Sequence, residues 1–293
     1  MCFPFRLKSE VVDVGLIIYS VTVKVMMRCE LLKKPIGDFI KFLGTAGARY
    51  VMSQQLRSSA GVWVEYKGTR LLIDPGPGTL VRAHKSKPRL NLAELDAIIL
   101  THRHVDHSSD TNVMIEAMTQ GGSVRRGKVF APRDALEEEP VVFQYAREYL
   151  EEIIPLRAGG RYLVGQVGFE TPVIHRHGVE TYGLKLHLGS VCLALIADTA
   201  FFPELPAIYA ADVLIMNTVR YYPTGPGELV HLCVDDARKI LQEATPPPKL
   251  GILTHFGLTM LKHDPKIIAK RLTEETGIKV VAASDGMVLD LGW

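Results

Sequence analysis

Ala97-Ile98-Ile99-Leu100-Thr101-His102-Arg103-His104-Val105-Asp106-His107 joins a short apolar run to an H-x-H-x-D-H motif with no spacer between them. The run reads as a strand buried on both faces, and the histidines fall in the turn that follows it. With 10 histidines and 14 aspartates in 293 residues, this pattern arises by chance in about five chains in ten thousand, rare enough to support inference from a motif. Imidazole and carboxylate together suit zinc and related divalent ions. A strand-to-loop turn lets His102 and His104 point one way and Asp106 and His107 another, which can serve two metals.

The same arrangement, an apolar run ending in a chemically capable polar residue, recurs on both sides of the motif. Leu71-Leu72-Ile73 ends at Asp74, before the turn Pro75 to Gly78. Val191 to Ala197 ends at Asp198, Val213 to Met216 at Asn217, and Gly251 to Thr254 at His255; Val280 to Ala283 precedes Ser284 and Asp285. Helical patterns alternate with these strands. One is opened by Asp264-Pro265, carries the stripe Ile267, Ile268, Leu272 and closes at Gly277. A second runs from Val234 to Glu243 with Ala237, Ile240 and Leu241 on one face. A third is capped by Ser108 or Ser109, with Val113, Ile115 and Met118 turned inward. Strands alternating with helices predict a layered α/β fold, with ligands beyond the carboxyl ends of the strands.

A single domain over 31–293 is expected, after an N-terminal extension 1–30. Met26 or Met27 is an alternative start of that domain, and a secretory signal is disfavoured by Glu10 and Asp13. The stretch from about Gly121 to Gly168, with its acidic run Glu137 to Glu139 and aromatic segment Phe143 to Tyr149, reads as a partly helical insertion over the site. The longest uncharged apolar stretch, Val14 to Val23, is half of what a membrane span needs. Cys2, Cys29, Cys192 and Cys233 form no C-x-x-C pair, so a reducing, cytoplasmic compartment is expected, with Cys192 packed as a small buried residue. A net charge of +2 supplies no strong basic field, so stable nucleic-acid binding is not expected. The sequence leaves the oligomeric state open, a homodimer included.

His177, Asp198 and His255 are each weak evidence alone, since lone histidines and aspartates at strand ends are usually structural. In order with the motif, and with Leu72-Ile73-Asp74-Pro75-Gly76 before it, they resemble the metallo-β-lactamase superfamily from about Asp38 to the C-terminus. The resemblance implies an αββα sandwich of two mixed sheets flanked by helices, with a dinuclear site at one edge. His102, His104 and His177 would hold the first divalent ion, zinc or else manganese or iron. Asp106, His107 and His255 would hold the second, and Asp198 and a hydroxide would bridge them. Asp198 sets the chain apart from true β-lactamases, and His104 from di-iron redox members, which carry glutamate there.

The stretch from His177 to Gly183 is similar to one in the tRNA 3′-end processing endonucleases. The spacings 177 to 198 and 198 to 255 look like those of compact phosphodiesterases, the phosphonate-pathway cyclic phosphodiesterase among them. His231, ahead of Asp235-Asp236-Ala237, matches a further histidine that contacts phosphate or protonates the leaving group in those enzymes. The Gly-Leu-Pro-Gly segment and Gly/Pro-rich arm of the tRNA enzymes are missing here, as are cysteine ligands for a structural zinc. The implied function is metal-dependent hydrolysis of a small or nucleotide-like phosphodiester by attack of the bridging hydroxide. Asp106, Asp198 and His231 are the candidate catalytic residues, His231 as general acid. Hydrolysis of a carboxylic ester, lactone or thioester with the same ligands is the alternative. Asp74 is expected to orient a ligand histidine, His175 to sit behind the ligands or at the surface, and Arg82 to Arg89 to form a solvated basic loop that can meet phosphates at the rim.

Overall fold

The computed structural model describes residues 37–59, 61–223 and 231–292, so the N-terminal extension lies outside the described residues. Two mixed sheets stack face to face. The first has the order β15-β1-β2-β3-β4-β5-β6 and the second β14-β13-β11-β10-β9-β8-β7, with β12 pairing only β11. In the first sheet, β1 (Phe39–Phe42), β2 (Val62–Tyr66), β3 (Thr69–Ile73) and β15 (Val288–Asp290) pair antiparallel. The parallel half runs from β3 through β4 (Ala97–Ile99) and β5 (Lys128–Ala131) to β6 (Glu152–Pro155).

The second sheet repeats the plan. Here β7 (Gly160–Val164), β8 (Val167–Thr171), β9 (Leu184–Leu188) and β10 (Val191–Ile196) pair antiparallel. Then β10, β11 (Val213–Arg220), β13 (Leu250–Thr254) and β14 (Val280–Ala282) run parallel, and β12 (Leu232–Cys233) joins the end of β11.

Three apolar layers hold this αββα sandwich. Between the sheets, Ile40, Ile73, Ile99 and Phe130 meet Phe169, Leu184, Leu195 and Ile215. Alternate residues of the same strands point outward, because successive side chains of a strand face opposite ways. Leu72, Ile98 and Val129 therefore pack under the helix Thr111–Thr119 through Met114, Ile115 and Met118. Leu214, Met216 and Leu253 pack under the helices Val234–Glu243 and Pro265–Thr276 through Ile240, Leu241, Ile268 and Leu272. Burial on both faces explains why these central strands read as continuous apolar runs.

The helix from Pro265 starts as expected: the Asp264 carboxylate accepts from the Lys266 amide, and Gly277 ends it at φ 71°. Ile267, however, is exposed, because Ile268, Ala269 and Leu272 take the buried face. Val113 is likewise exposed. The helix begins at Thr111, after Asp110 and not after Ser108 or Ser109, and this phase brings Met114 inward with Ile115 and Met118. Cys192 is half-buried on β10 instead of enclosed.

The stretch Gly121 to Gly168 supplies β5 and β6 to one sheet and β7 and the start of β8 to the other, so it belongs in part to the framework. The loop between β5 and β6, with the short helix Gln144–Arg147, is its longest part outside the sheets. No helix among the described residues is long and apolar enough to cross a membrane.

Candidate metal centre

The carboxyl ends of β4, β10, β11 and β13 converge where the parallel halves of the two sheets abut, and the sequence-predicted residues meet there. His102 follows β4 by way of Leu100 and Thr101, and the single-turn helix Val105–Ser108 carries Asp106 and His107. Asp198 ends β10, Asn217 lies on β11, and His255 follows β13. His177 comes from the loop before β9, which is tied to the motif by the bond from the Tyr182 amide to the Thr101 carbonyl (3.0 Å). Asp74 and His255 both hold left-handed backbone angles, φ 51° and 60°. Such positions cost energy for non-glycine residues and tend to gather at functional sites. Gly47 is required beside His255, because a β-carbon on it would overlap the His255 carbonyl oxygen.

Hydrogen bonds fix which ring nitrogens carry protons. Asp74 Oδ2 accepts from both the Thr101 hydroxyl (2.7 Å) and His107 Nδ1–H (2.9 Å), while Asp74 Oδ1 accepts from the Thr101 amide (2.7 Å). Having given its proton to Asp74, Thr101 Oγ1 accepts from His102 Nδ1–H at 3.0 Å. Both rings thus turn Nε2 toward the centre. His102 Nε2 is buried and has no hydrogen-bond partner. His107 Nε2 faces His255 Nε2 at 3.1 Å, and His104 Nδ1 faces His177 Nε2 at 3.1 Å. Donor nitrogens about 2.0–2.1 Å from one tetrahedral ion would lie about 3.3 Å apart, so these separations suit a shared cation.

Carboxylates complete the arrangement. His255 Nε2 is 3.6 Å from Asp106 Oδ2 and 3.5 Å from Asp198 Oδ1, and His107 Nε2 is 3.8 Å from an oxygen of each aspartate. His102, His104 and His177 bring one nitrogen each within 4.8 Å of one another, as do the donor atoms of Asp106, His107 and His255. His102 and His107 group the same way with Asp198, which therefore lies between the two sets. The residues present fit divalent metal ions.

Electrostatics follow from burial. Desolvation drives His102 well below the usual histidine range, and desolvation with the nearby His177 lowers His104 to about 4. Burial opposes charge on His107 too, but Asp106, Asp74 and Asp198 outweigh it and raise the ring to about 10. Asp198 is also penalised by burial, yet His255 and His231 hold it well below the usual carboxylate range. His231 lies 3.3 Å from Asp198 Oδ2 through Nε2, mostly buried, with its ring edge-on to His177.

His175 is not among the converging donors. It is buried behind them, 2.8 Å from the Tyr209 hydroxyl through Nε2 and 3.3 Å from the Asp198 carbonyl through Nδ1. His187 pairs with Glu170 on β8.

Several contributors escaped sequence reading. Asn217 Nδ2 donates to Asp198 Oδ1 at 2.8 Å, and the signal was its place at the end of a strand. Arg103 points away from the centre and pairs with Asp134 (3.2 Å) and Glu139 (3.0 Å). Asp134 and Glu180 each accept the other's backbone N–H at 3.1 Å. The loop after β5 thereby ties the loop of His104 to that of His177, a link no local spacing reveals.

A family model described as a beta-lactamase superfamily domain matches residues 69–256. The chain belongs to that superfamily, and the two-sheet sandwich with its His/Asp centre is of the metallo-β-lactamase type. It is 29% identical over 263 residues to the uncharacterized protein MJ1374 of Methanocaldococcus jannaschii, covering 86% of this chain and 94% of that one. It is 28% identical over 202 residues to ribonuclease Z of Methanopyrus kandleri, covering 68% and 67%. Among solved structures, the metallo-beta-lactamase fold protein YhfI from Bacillus subtilis matches with TM-score 0.70 at 20% identity, covering 86% of this chain and 98% of that one.

Proposed function

We propose that this superfamily member is a cytoplasmic phosphodiesterase working on a small or nucleotide-like phosphodiester through two divalent ions, zinc first among them. His102, His104 and His177 would hold one ion and Asp106, His107 and His255 the other, with Asp198 between the two sets. The observation that carries the reading is the close approach of ring nitrogens, His107 to His255 and His104 to His177, each at 3.1 Å beside buried carboxylates. The likeness to ribonuclease Z supports a phosphodiester over a carbonyl substrate. Bound ions of this kind supply an activated water near neutral pH and offset charge on the attacking and departing oxygens.

The chain's own residues do the rest. Asp74 and Thr101 set the tautomers of His107 and His102. Asn217 holds one oxygen of Asp198, and His231 lies against the other, placed to pass a proton to a departing alkoxide.

Metal-reconstituted protein assayed on bis(p-nitrophenyl) phosphate, a thioester and a lactone tests the reading. Hydrolysis of the phosphodiester is expected. Activity confined to the carbonyl substrates would replace it with the esterase alternative.

A further inference from the structure

Several cations of the framework are paired: Arg70, Arg103, Arg126, Lys128, Arg238 and Lys249 each lie within 4.0 Å of a carboxylate. One concavity gathers four that are not. An open groove of about 650 Å³ runs between the helix Thr79–Lys85 with its following loop and the turn at Asp285-Gly286. Lys41, Arg82, Lys85 and Lys87 line it, and none of the four has a carboxylate partner among the described residues.

Lys41 is the anchor. Its residue is 3% exposed on β1, and its ammonium donates to the carbonyls of Lys87 (3.0 Å) and Gly286 (3.1 Å). Burial lowers its pKa, as expected for an ammonium held away from water without an acid beside it. The one acid lining the groove, Asp285, is already engaged: its oxygens accept from Thr45 Oγ1 (2.7 Å) and the Ser58 amide (2.8 Å). Leu43 and Gln55 also line the groove. The groove shares no lining residue with the metal centre.

We propose that this groove is an anion site that takes a ligand bearing two or more phosphates, seated on Arg82, Lys85 and Lys87 with Lys41 at its base. Four unpaired cations around one concavity repel one another, and a multiply charged phosphate group relieves that repulsion with charge-assisted bonds. Two sources share this chemistry, a free polyphosphate and successive phosphates of a nucleotide chain. The site stands apart from the proposed hydrolysis and survives if that reading fails.

The experiment is calorimetric titration of the metal-loaded full chain with inorganic tripolyphosphate and, separately, with a ten-residue oligothymidylate. Arg82→Gln/Lys85→Gln is the informative variant, since both side chains are exposed and make no hydrogen bond that the fold uses. His104→Ala is the control for binding at the metals. Tripolyphosphate affinity is expected to fall at least tenfold in the double variant and to persist in His104→Ala. If the oligonucleotide also weakens in the double variant, with a shallower salt dependence, the phosphates come from a nucleotide chain. If it is unaffected, a free polyphosphate is the ligand. Tripolyphosphate affinity unchanged in the double variant, or abolished by His104→Ala, would overturn the proposal.

Discussion

His107 and His255 face each other through Nε2 at 3.1 Å, although the Nδ1 proton of His107 is already given to Asp74. Two imidazoles do not turn lone pairs on each other without a cation or a proton between them. The Asp74 contact makes the first explanation testable at one side chain. With Asp74→Asn, the amide cannot offer His107 the same carboxylate acceptor. Losing such an orienting partner typically costs 10–100-fold in metal affinity. Competition with a chelator should show that loss in the ion proposed for His107 and His255. An unchanged affinity would mean that Asp74 serves only the turn.

The opposite half of the centre depends on a longer link. Arg103 pairs with Asp134, and Asp134 exchanges backbone bonds with Glu180, three residues after His177. Arg103→Leu is expected to weaken the ion on His104 and His177, while the other ion stays. Arg103→Lys should recover part of the affinity. Stepwise cobalt titration followed by visible absorbance reads the two separately, and equal weakening of both would argue for a general loss of structure.

His231 is expected to matter in proportion to how badly the leaving group needs a proton. General acids contribute about 10²–10⁴-fold. His231→Ala should therefore cut kcat by about that factor for an alkyl phosphodiester, and much less for a p-nitrophenyl ester. Equal losses on both would remove it from the proton path.

Burial holds the His175 ring at about 4, so the folded chain resists a proton that the unfolded chain accepts near 6.5. Its contribution to stability is complete above pH 6.5 and is lost as pH falls toward 4, by about 3 kcal/mol. His107, raised to about 10, acts in the other direction: its contribution is complete below pH 6.5 and is lost as pH rises from there to about 10. Denaturant unfolding of chelated protein between pH 7 and 4 should show a shallower decline for His175→Gln than for the parent. Parallel curves would contradict the assignment.

The fold was largely legible because its central strands are buried on both faces, so Leu71 to Ile73, Ala97 to Leu100 and Gly251 to Thr254 appear as unbroken apolar runs. The placement of Asp74, Asp198 and His255 after such runs followed from the same feature. Helix phase was less legible. One residue of shift at Thr111 exchanged Val113 for Met114, and amphipathic spacing alone does not fix where a helix begins. The stretch Gly121 to Gly168 was misread because Lys128–Ala131 and Glu152–Pro155 are short and flanked by charge; their strand character comes from pairing with β4 and with each other. The Arg103–Asp134–Glu180 link joins residues 31 and 46 apart, a distance at which sequence offers no spacing rule.

The central claim is that seven side chains hold two ions. Anomalous diffraction from crystals of the zinc-loaded chain, recorded across the zinc edge, measures this directly. The account predicts two peaks about 3.5–4 Å apart, one against His102, His104 and His177, the other against Asp106, His107 and His255, with Asp198 touching both. A single peak, or metal bound elsewhere, would contradict it.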